Sequence, residues 1–139
     1  MIESSQNWKK TLLKPSDTMQ DAINILAVGG LRIALVIDAK ERLLGTITDG
    51  DVRRALIRNS SLIVSVDGIM NSNPMTASDK DDEQHIQKIL LENDILQVPV
   101  INSKGRVVGL KTFTPSVADE DKKQNFLSNY IFLIASECI

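Results

Sequence analysis

The amino-acid sequence repeats itself. Shifted by 64 positions, its two halves align without a gap: Asp17 falls on Asp81, Ile25-Leu26 on Ile89-Leu90 and Val36-Ile37 on Val100-Ile101. Lys40, Arg42, Gly45 and Thr48 fall on Lys104, Arg106, Gly109 and Thr112. Such a repeat constrains the fold more than any local signal, because a small unit that cannot bury its own apolar face must stack on its copy. The 139 residues suit one ordinary domain or two small repeats sharing a core.

Local signals recur with the same shift. Each half opens with a short extended piece, Thr11 to Leu13 and Met75 to Ala77. A helix is expected from Asp17-Thr18, which cap its first amides. Met19, Ala22, Ile23 and Leu26 form its apolar stripe at i, i+3, i+4 and i+7, and Gly29-Gly30 end it. The matching helix starts near Asp81-Asp82, carries Ile86, Ile89 and Leu90, and ends near Asn93-Asp94. Strands Ile33 to Ile37 and Leu96 to Ile101 follow, each with a polar turn and a second strand, Leu43 to Thr48 and Val107 to Thr112, which reads as a hairpin. In the first half a further helix, Asp51 to Arg58, turns Val52, Ala55 and Leu56 inward. The expected fold class is therefore α/β (α+β), a β-α-β-β-α unit occurring twice and packed as a pseudo-twofold pair. Residues 1–10 form an arm, 11–66 and 67–116 the repeats, and 117–139 a linker with one further strand.

Composition narrows the function classes. A hydrophobic share of 42% and a charged share of 24% describe a soluble globular chain. A net charge of −2 gives no field for a nucleic-acid backbone or an anionic membrane, though local basic spots remain able to hold a small phosphate. The single cysteine, Cys138, excludes an internal disulfide and fits a cytoplasmic setting. No apolar segment reaches membrane-spanning length, Met1 to Lys10 carries no signal-peptide core, and no metal-ligand spacing is present.

The run Gly45-Thr46-Ile47-Thr48-Asp49-Gly50-Asp51 resembles the CBS-domain signature, with threonine three and aspartate six residues after the glycine. Val98-Pro99-Val100-Ile101-Asn102 is similar to the Pro-Val strand of the same family. The resemblance covers Thr11 to Thr114 and implies a tandem CBS pair, or Bateman module, that regulates an attached enzyme and has no catalytic residues of its own. The longer run Leu44 to Leu56 resembles CBS pairs of two sugar-phosphate enzymes, nucleotidyltransferases of the mannose-1-phosphate guanylyltransferase type and arabinose-5-phosphate isomerases. Ile95 to Val100 and Gly105 to Leu110 favour the former. So do the part order and Asn129 to Ala135, which resembles the first strand of a nucleotidyltransferase domain whose glycine-rich loop and catalytic site are absent.

The chemistry of the site residues agrees with this. Thr48 stands where a strand turns into a helix, whose unpaired amides and positive dipole end favour an anion. Its hydroxyl can donate to a phosphate, Asp51 can accept from a ribose cis-diol, and Gly50 permits close approach. Arg53 or Arg54 can offer a guanidinium fork, while Arg32 and Thr46 lie nearby. The resemblance places a base between the repeats, against Met75, Thr76, Gln97 and Val98. Bland readings stand beside these: Asp49 and Asp51 as caps, Thr48 as a strand residue, the arginines as a solvated face. His85 reads as a surface residue, the acidic run Asp79 to Glu83 as dipole compensation, Met19 and Met75 as core or pocket filler, and Trp8 as a packing anchor.

The second repeat departs from the pattern. Pro115 stands six residues after Gly109, so the ribose acceptor is lost and one competent site is expected, around Thr48 and Asp51. The implied ligand is an adenine nucleotide (AMP, ADP or ATP) or a sugar nucleotide, with no cofactor required. The implied partners are a nucleotidyltransferase domain and a second copy of the chain in a homodimer. The competing expectation is a ligand-free dimerisation module with a vestigial site.

Overall fold

The computed structural model describes residues 7–28 and 31–114. A 3-10 turn, Asn7–Thr11, leads into β1 (Leu12–Leu13), α1 (Met19–Val28), β2 (Ala34–Ile37), β3 (Leu43–Ile47) and α2 (Asp49–Ile57). A second 3-10 turn, Val66–Gly68, precedes β4 (Ala77–Ser78), α3 (Glu83–Glu92), β5 (Gln97–Ile101) and β6 (Val107–Thr112). The strands form two three-stranded sheets, β1-β2-β3 and β4-β5-β6. In each, the first strand runs parallel to the second and the third antiparallel to it. This is the α+β pair of repeats expected from the sequence. The closing helix position of the second repeat, Gly29-Gly30, Pro115, Cys138 and the strand expected over 129–135 lie outside the described residues.

The repeat extends to the hydrogen-bond register. Leu13 pairs with Val36 as Ala77 pairs with Val100. Ala34↔Ile47, Leu35↔Thr46, Val36↔Gly45 and Ile37↔Leu43 become Val98↔Lys111, Pro99↔Leu110, Val100↔Gly109 and Ile101↔Val107, and a bulge after Val36 reappears after Val100. The turns match as well. Asp38 Oδ1 accepts the amides of Lys40 and Arg42, and Asn102 Oδ1 accepts those of Lys104 and Arg106. One oxygen closes each turn, so asparagine replaces aspartate without loss of this geometry. The aspartate also pairs with Arg42 at 2.8 Å. The amide of Arg42 foremost, aided by its side chain and the Lys40 amide, holds the Asp38 carboxyl below its usual range against a smaller opposing effect of desolvation.

Three apolar clusters make the core. One packs α1 and α2 on the first sheet through Met19, Ala22, Val36, Ile47, Val52 and Ala55. Another packs α3 on the second sheet through Ile86, Leu90, Val98 and Val100. The third joins the sheets by their other faces, through Ile33, Leu35 and Val107 with Leu12, Ile37, Leu43, Ile101, Leu110 and the anchoring Trp8. Because β2 is covered on both sides, Ala34, Leu35 and Val36 are consecutively buried, as strands between two layers must be. Leu56, expected to face inward, is instead 47% exposed. The helix presents Val52 and Ala55 to the core, and the next apolar position falls past the edge of that stripe.

The segment joining the repeats ties the first one together. Leu62 and Val64 accept the amides of Gln20 and Met19 at the start of α1, supplying acceptors that a first helical turn lacks. Asn71 exchanges both backbone hydrogen bonds with Thr46, at 2.8 and 3.1 Å. A Cβ at Gly45 would lie 2.7 Å from the Asn71 carbonyl and 2.6 Å from the Met70 sulfur, whereas one at Gly109 would meet nothing nearer than 3.9 Å.

Two stability predictions follow from the repeat. Gly45→Ala lowers the unfolding free energy by about 1–3 kcal/mol through overpacking, while Gly109→Ala leaves it unchanged; urea denaturation of both variants checks the contrast. Asp38→Asn melts close to the parent and Asp38→Ala clearly below it, in differential scanning calorimetry at neutral pH.

Candidate ligand-binding site

A cleft of about 420 Å³ lies where the carboxyl end of β3 meets the segments flanking β5. One wall comes from the first repeat: Arg32 and Ile33 ahead of β2, Thr46 and Thr48 on β3 and at its end, and Asp49, Gly50 and Arg54 of α2. The other comes from the joining segment and the second repeat: Asn71, Pro74, Met75, Asp94, Ile95, Leu96, Gln97 and Pro99. Its volume is within the ordinary range for small-molecule pockets, roughly 300–1,000 Å³.

Strand periodicity decides which expected residues reach this cleft. Successive side chains of a strand point to opposite faces, so Thr46 and Thr48 share one side. By the same rule Gln97 and Pro99 face the cleft, while Val98 between them is fully buried in the core of the second repeat. Val98 therefore does not line the cleft. Met75 lines the cleft and Thr76 does not; Thr76 borders a different hollow, with Ser78, Asp81 and His85. Arg53 does not line the cleft either, and its buried Nε makes no hydrogen bond. Of the expected residues, Arg32, Thr46, Thr48, Gly50, Arg54, Met75 and Gln97 come together here.

The Arg54 partner of Asp51 lines the cleft, but Asp51 itself does not. Its Oδ2 accepts the Thr48 amide at 2.9 Å and the Thr48 hydroxyl at 3.1 Å, and its Oδ1 accepts Arg54 Nη2 at 2.8 Å. The carboxylate thus closes the start of α2. Thr18 and Asp21 build the same arrangement on α1, with the Thr18 amide and hydroxyl donating to Asp21 Oδ2 at 2.9 and 3.1 Å. A Thr-x-x-Asp box is therefore a capping device in both helices, and the threonine of the one at α2 lines the cleft. Its Arg54 partner is 63% exposed, so this pair is worth little, about 0–1 kcal/mol, and is readily exchanged.

The amides of Asp49 and Gly50 begin α2 with no acceptor one turn earlier, leaving them for an anion. A Cβ on Gly50 would touch only the guanidinium of Arg54, at 3.4 Å. The glycine therefore keeps room for that side chain rather than relieving a backbone clash. The opposite wall is apolar at Ile95, Leu96 and Pro99, with the Gln97 amide among them. A flat, apolar group with hydrogen-bonding edges fits there, and a phosphate fits at the α2 end. In the sequence Asn71 and Pro74 carry no signal, Asp94 marks only the end of a helix, and Ile95-Leu96 belong only to the family-like run Ile95 to Val100. The repeat itself held the signal for two of them, since Asp94 and Leu96 stand 64 positions after Gly30 and Arg32. Asp94 has a positive φ of 53°, at the left-handed end of α3.

Among the described residues no three of His, Cys, Asp and Glu gather in a metal-binding group, and no helix is long and apolar enough to cross a membrane. The double role of Asp51 sets a prediction: Asp51→Ala lowers stability by about 1 kcal/mol through loss of the α2 cap. Asp51→Asn, which keeps an acceptor for the Thr48 amide, lowers it less. Chemical denaturation of the two variants side by side checks this.

Comparison with known proteins agrees with the geometry. The CBS-domain family model matches twice, over residues 11–58 and 66–110. A probable arabinose 5-phosphate isomerase of Haemophilus influenzae is 31% identical over 81% of this chain and 34% of its own length. The chain spans 19% to 34% of the length of the curated relatives it matches. Among solved structures, the CBS domain pair of protein MJ0100, in complex with 5-methylthioadenosine and S-adenosyl-L-methionine, superposes with a TM-score of 0.63 at 26% identity, covering 83% of this chain and 89% of that one. CBSX2 in complex with AMP gives 0.63 at 25% identity, over 73% and 79%. With two family matches falling on the two structural repeats, the chain belongs to the CBS-domain family and is a tandem CBS pair.

Proposed function

We propose that this CBS pair is a regulatory module that binds an adenine nucleotide in the cleft between its repeats and conveys the occupancy to an attached enzyme. The carrying observation is the composite cleft itself. Its anion-seeking end belongs to the first repeat and its apolar wall to the second, so a ligand with a flat base and a phosphate touches both. The relatives at 25% and 26% identity, in complex with AMP and with adenosine derivatives, support an adenine ligand over a sugar nucleotide.

In this reading the phosphate sits on the Asp49 and Gly50 amides, the Thr48 hydroxyl turns from Asp51 Oδ2 to donate to it, and Arg32 lies beside it. The ribose hydroxyls take the place of Arg54 on Asp51 Oδ1, and the freed guanidinium turns to the phosphate. The base lies against Ile95, Leu96 and Pro99, with Gln97 and Met75 at its edges. Exchange of a weak exposed ion pair for two charge-assisted contacts favours the bound state. A ligand held by both repeats biases their packing only as far as it binds one arrangement more tightly.

The enzyme served acts on a sugar phosphate. The isomerase relatives support the arabinose-5-phosphate isomerase reading over the guanylyltransferase one. Ile57 and Ile63, 73% and 80% exposed, support self-association through the helical side as a second role of the same module.

Isothermal titration tests the nucleotide site. AMP binds the parent chain with one-to-one stoichiometry, and Thr48→Val weakens it by about 10- to 100-fold, the loss of a hydrogen bond to a charged group. Absence of binding by AMP, ADP and ATP alike would transfer the function to the association face.

A further inference from the structure

The end of the strands opposite the cleft carries a second constellation, independent of the nucleotide reading. There the two polar turns, 38–42 and 102–106, meet on the pseudo-twofold axis. Arg42 and Arg106 form an antiparallel bridge. The Leu43 amide donates to the Gly105 carbonyl at 3.0 Å and the Val107 amide donates to the Glu41 carbonyl at 3.1 Å, two bonds that exchange under the 64-residue shift. The hollow between the turns, about 380 Å³, is lined by Lys40, Arg42, Lys104 and Arg106. Arg42 and Arg106 lie opposite one another across the axis, and Lys40 and Lys104 line the same hollow.

Like charges placed opposite one another across an antiparallel pair destabilise it, and here the backbone pairing enforces that placement. Two carboxylates relieve part of the repulsion: Asp38 pairs with Arg42 at 2.8 Å and Glu41 with Arg106 at 3.0 Å. Asn102, the neutral counterpart of Asp38, relieves none. Lys40 and Lys104 are exposed and, among the described residues, form no ion pair, so two positive charges remain beside the hollow. The hollow exceeds one orthophosphate in size, and its cations stand on both sides of the axis. A short chain of anionic groups matches it better than a single anionic centre.

We propose that this hollow is a second ligand site, for a linear oligophosphate, either free or as the polyphosphate tail of a nucleotide. Arg42 and Arg106 offer planar forks while holding their carboxylates, and Lys40 and Lys104 close on the chain from either side. An anion at this position turns the repulsion between the repeats into attraction through a shared counter-charge. It thereby tightens the junction of the two sheets. Because the groups are exposed, the attraction weakens as salt screens it.

Titration of sodium tripolyphosphate into the full chain, followed by calorimetry at low and at physiological ionic strength, tests the proposal. The expected result is saturable one-to-one binding that weakens with salt. It falls at least about tenfold in the double variant Lys40→Gln/Lys104→Gln, since contacts to charged groups carry that much, and is unchanged in Thr48→Val. Competition by ATP but not by AMP names the nucleotide tail as the source, and absence of competition names free oligophosphate; both uphold the site. Three results overturn it: no saturable binding at low salt, binding insensitive to the lysine pair but lost in Thr48→Val, or binding of an oligoglutamate peptide without binding of tripolyphosphate.

Discussion

Everything in this molecule depends on the packing of one sheet against the other across the pseudo-twofold axis. Neither three-stranded sheet can cover both of its faces with the helices of its own repeat. The face left over on β2 and β3 is closed by β5 and β6, through Ile33, Leu35 and Val107 and their half-buried neighbours. The reciprocal hydrogen bonds of Leu43 and Val107 then fix the register of that contact at one end. Burial of this kind gives about 25 cal/mol for each Å² of apolar surface removed from water, and it is available only when both repeats fold. The cleft and the cationic hollow are both consequences, at opposite ends of the same strands.

Much of the architecture was legible in the sequence because the repeat sampled it twice. A strand, a bulge or a turn required by one half had to be permitted by residues 64 positions away, as Asp38 and Asn102 illustrate. Glu41 and Gly105 carry the lesson further. Both adopt positive φ, 67° and 81°, and the glycine shows what backbone the glutamate must accept. Side-chain facing was less legible. Gln97 and Val98 read alike in the sequence, although alternation along β5 separates them, and Met75 and Thr76, just ahead of β4, border different hollows. Leu56 was misplaced for a related reason, since a nine-residue helix resting on a small sheet buries a narrow stripe.

The second wall of the cleft was illegible for a different reason. Asp94 marks only a helix end and Ile95-Leu96 only part of a family-like run, and their place in the site comes from the rotation relating the repeats rather than from their own chemistry. Asp51 shows the converse. Its motif was plain, but chemistry alone left a cap and a ligand acceptor equally possible. The structure gives it the capping bonds, and its exposed Arg54 partner is the element a ligand can displace. On the proposed reading stability and ligand binding meet in one carboxylate, and a regulatory signal would begin with the first turn of α2.

Amide chemical-shift mapping shows whether the composite cleft holds the nucleotide. On addition of AMP to the isotopically labelled chain, the largest shifts are expected at Thr48, Asp49 and Gly50 on one wall and at Leu96 and Gln97 on the other. Shifts confined to one repeat, or centred on Trp8 and Val107 or on the turns at Lys40 and Lys104, would contradict that placement.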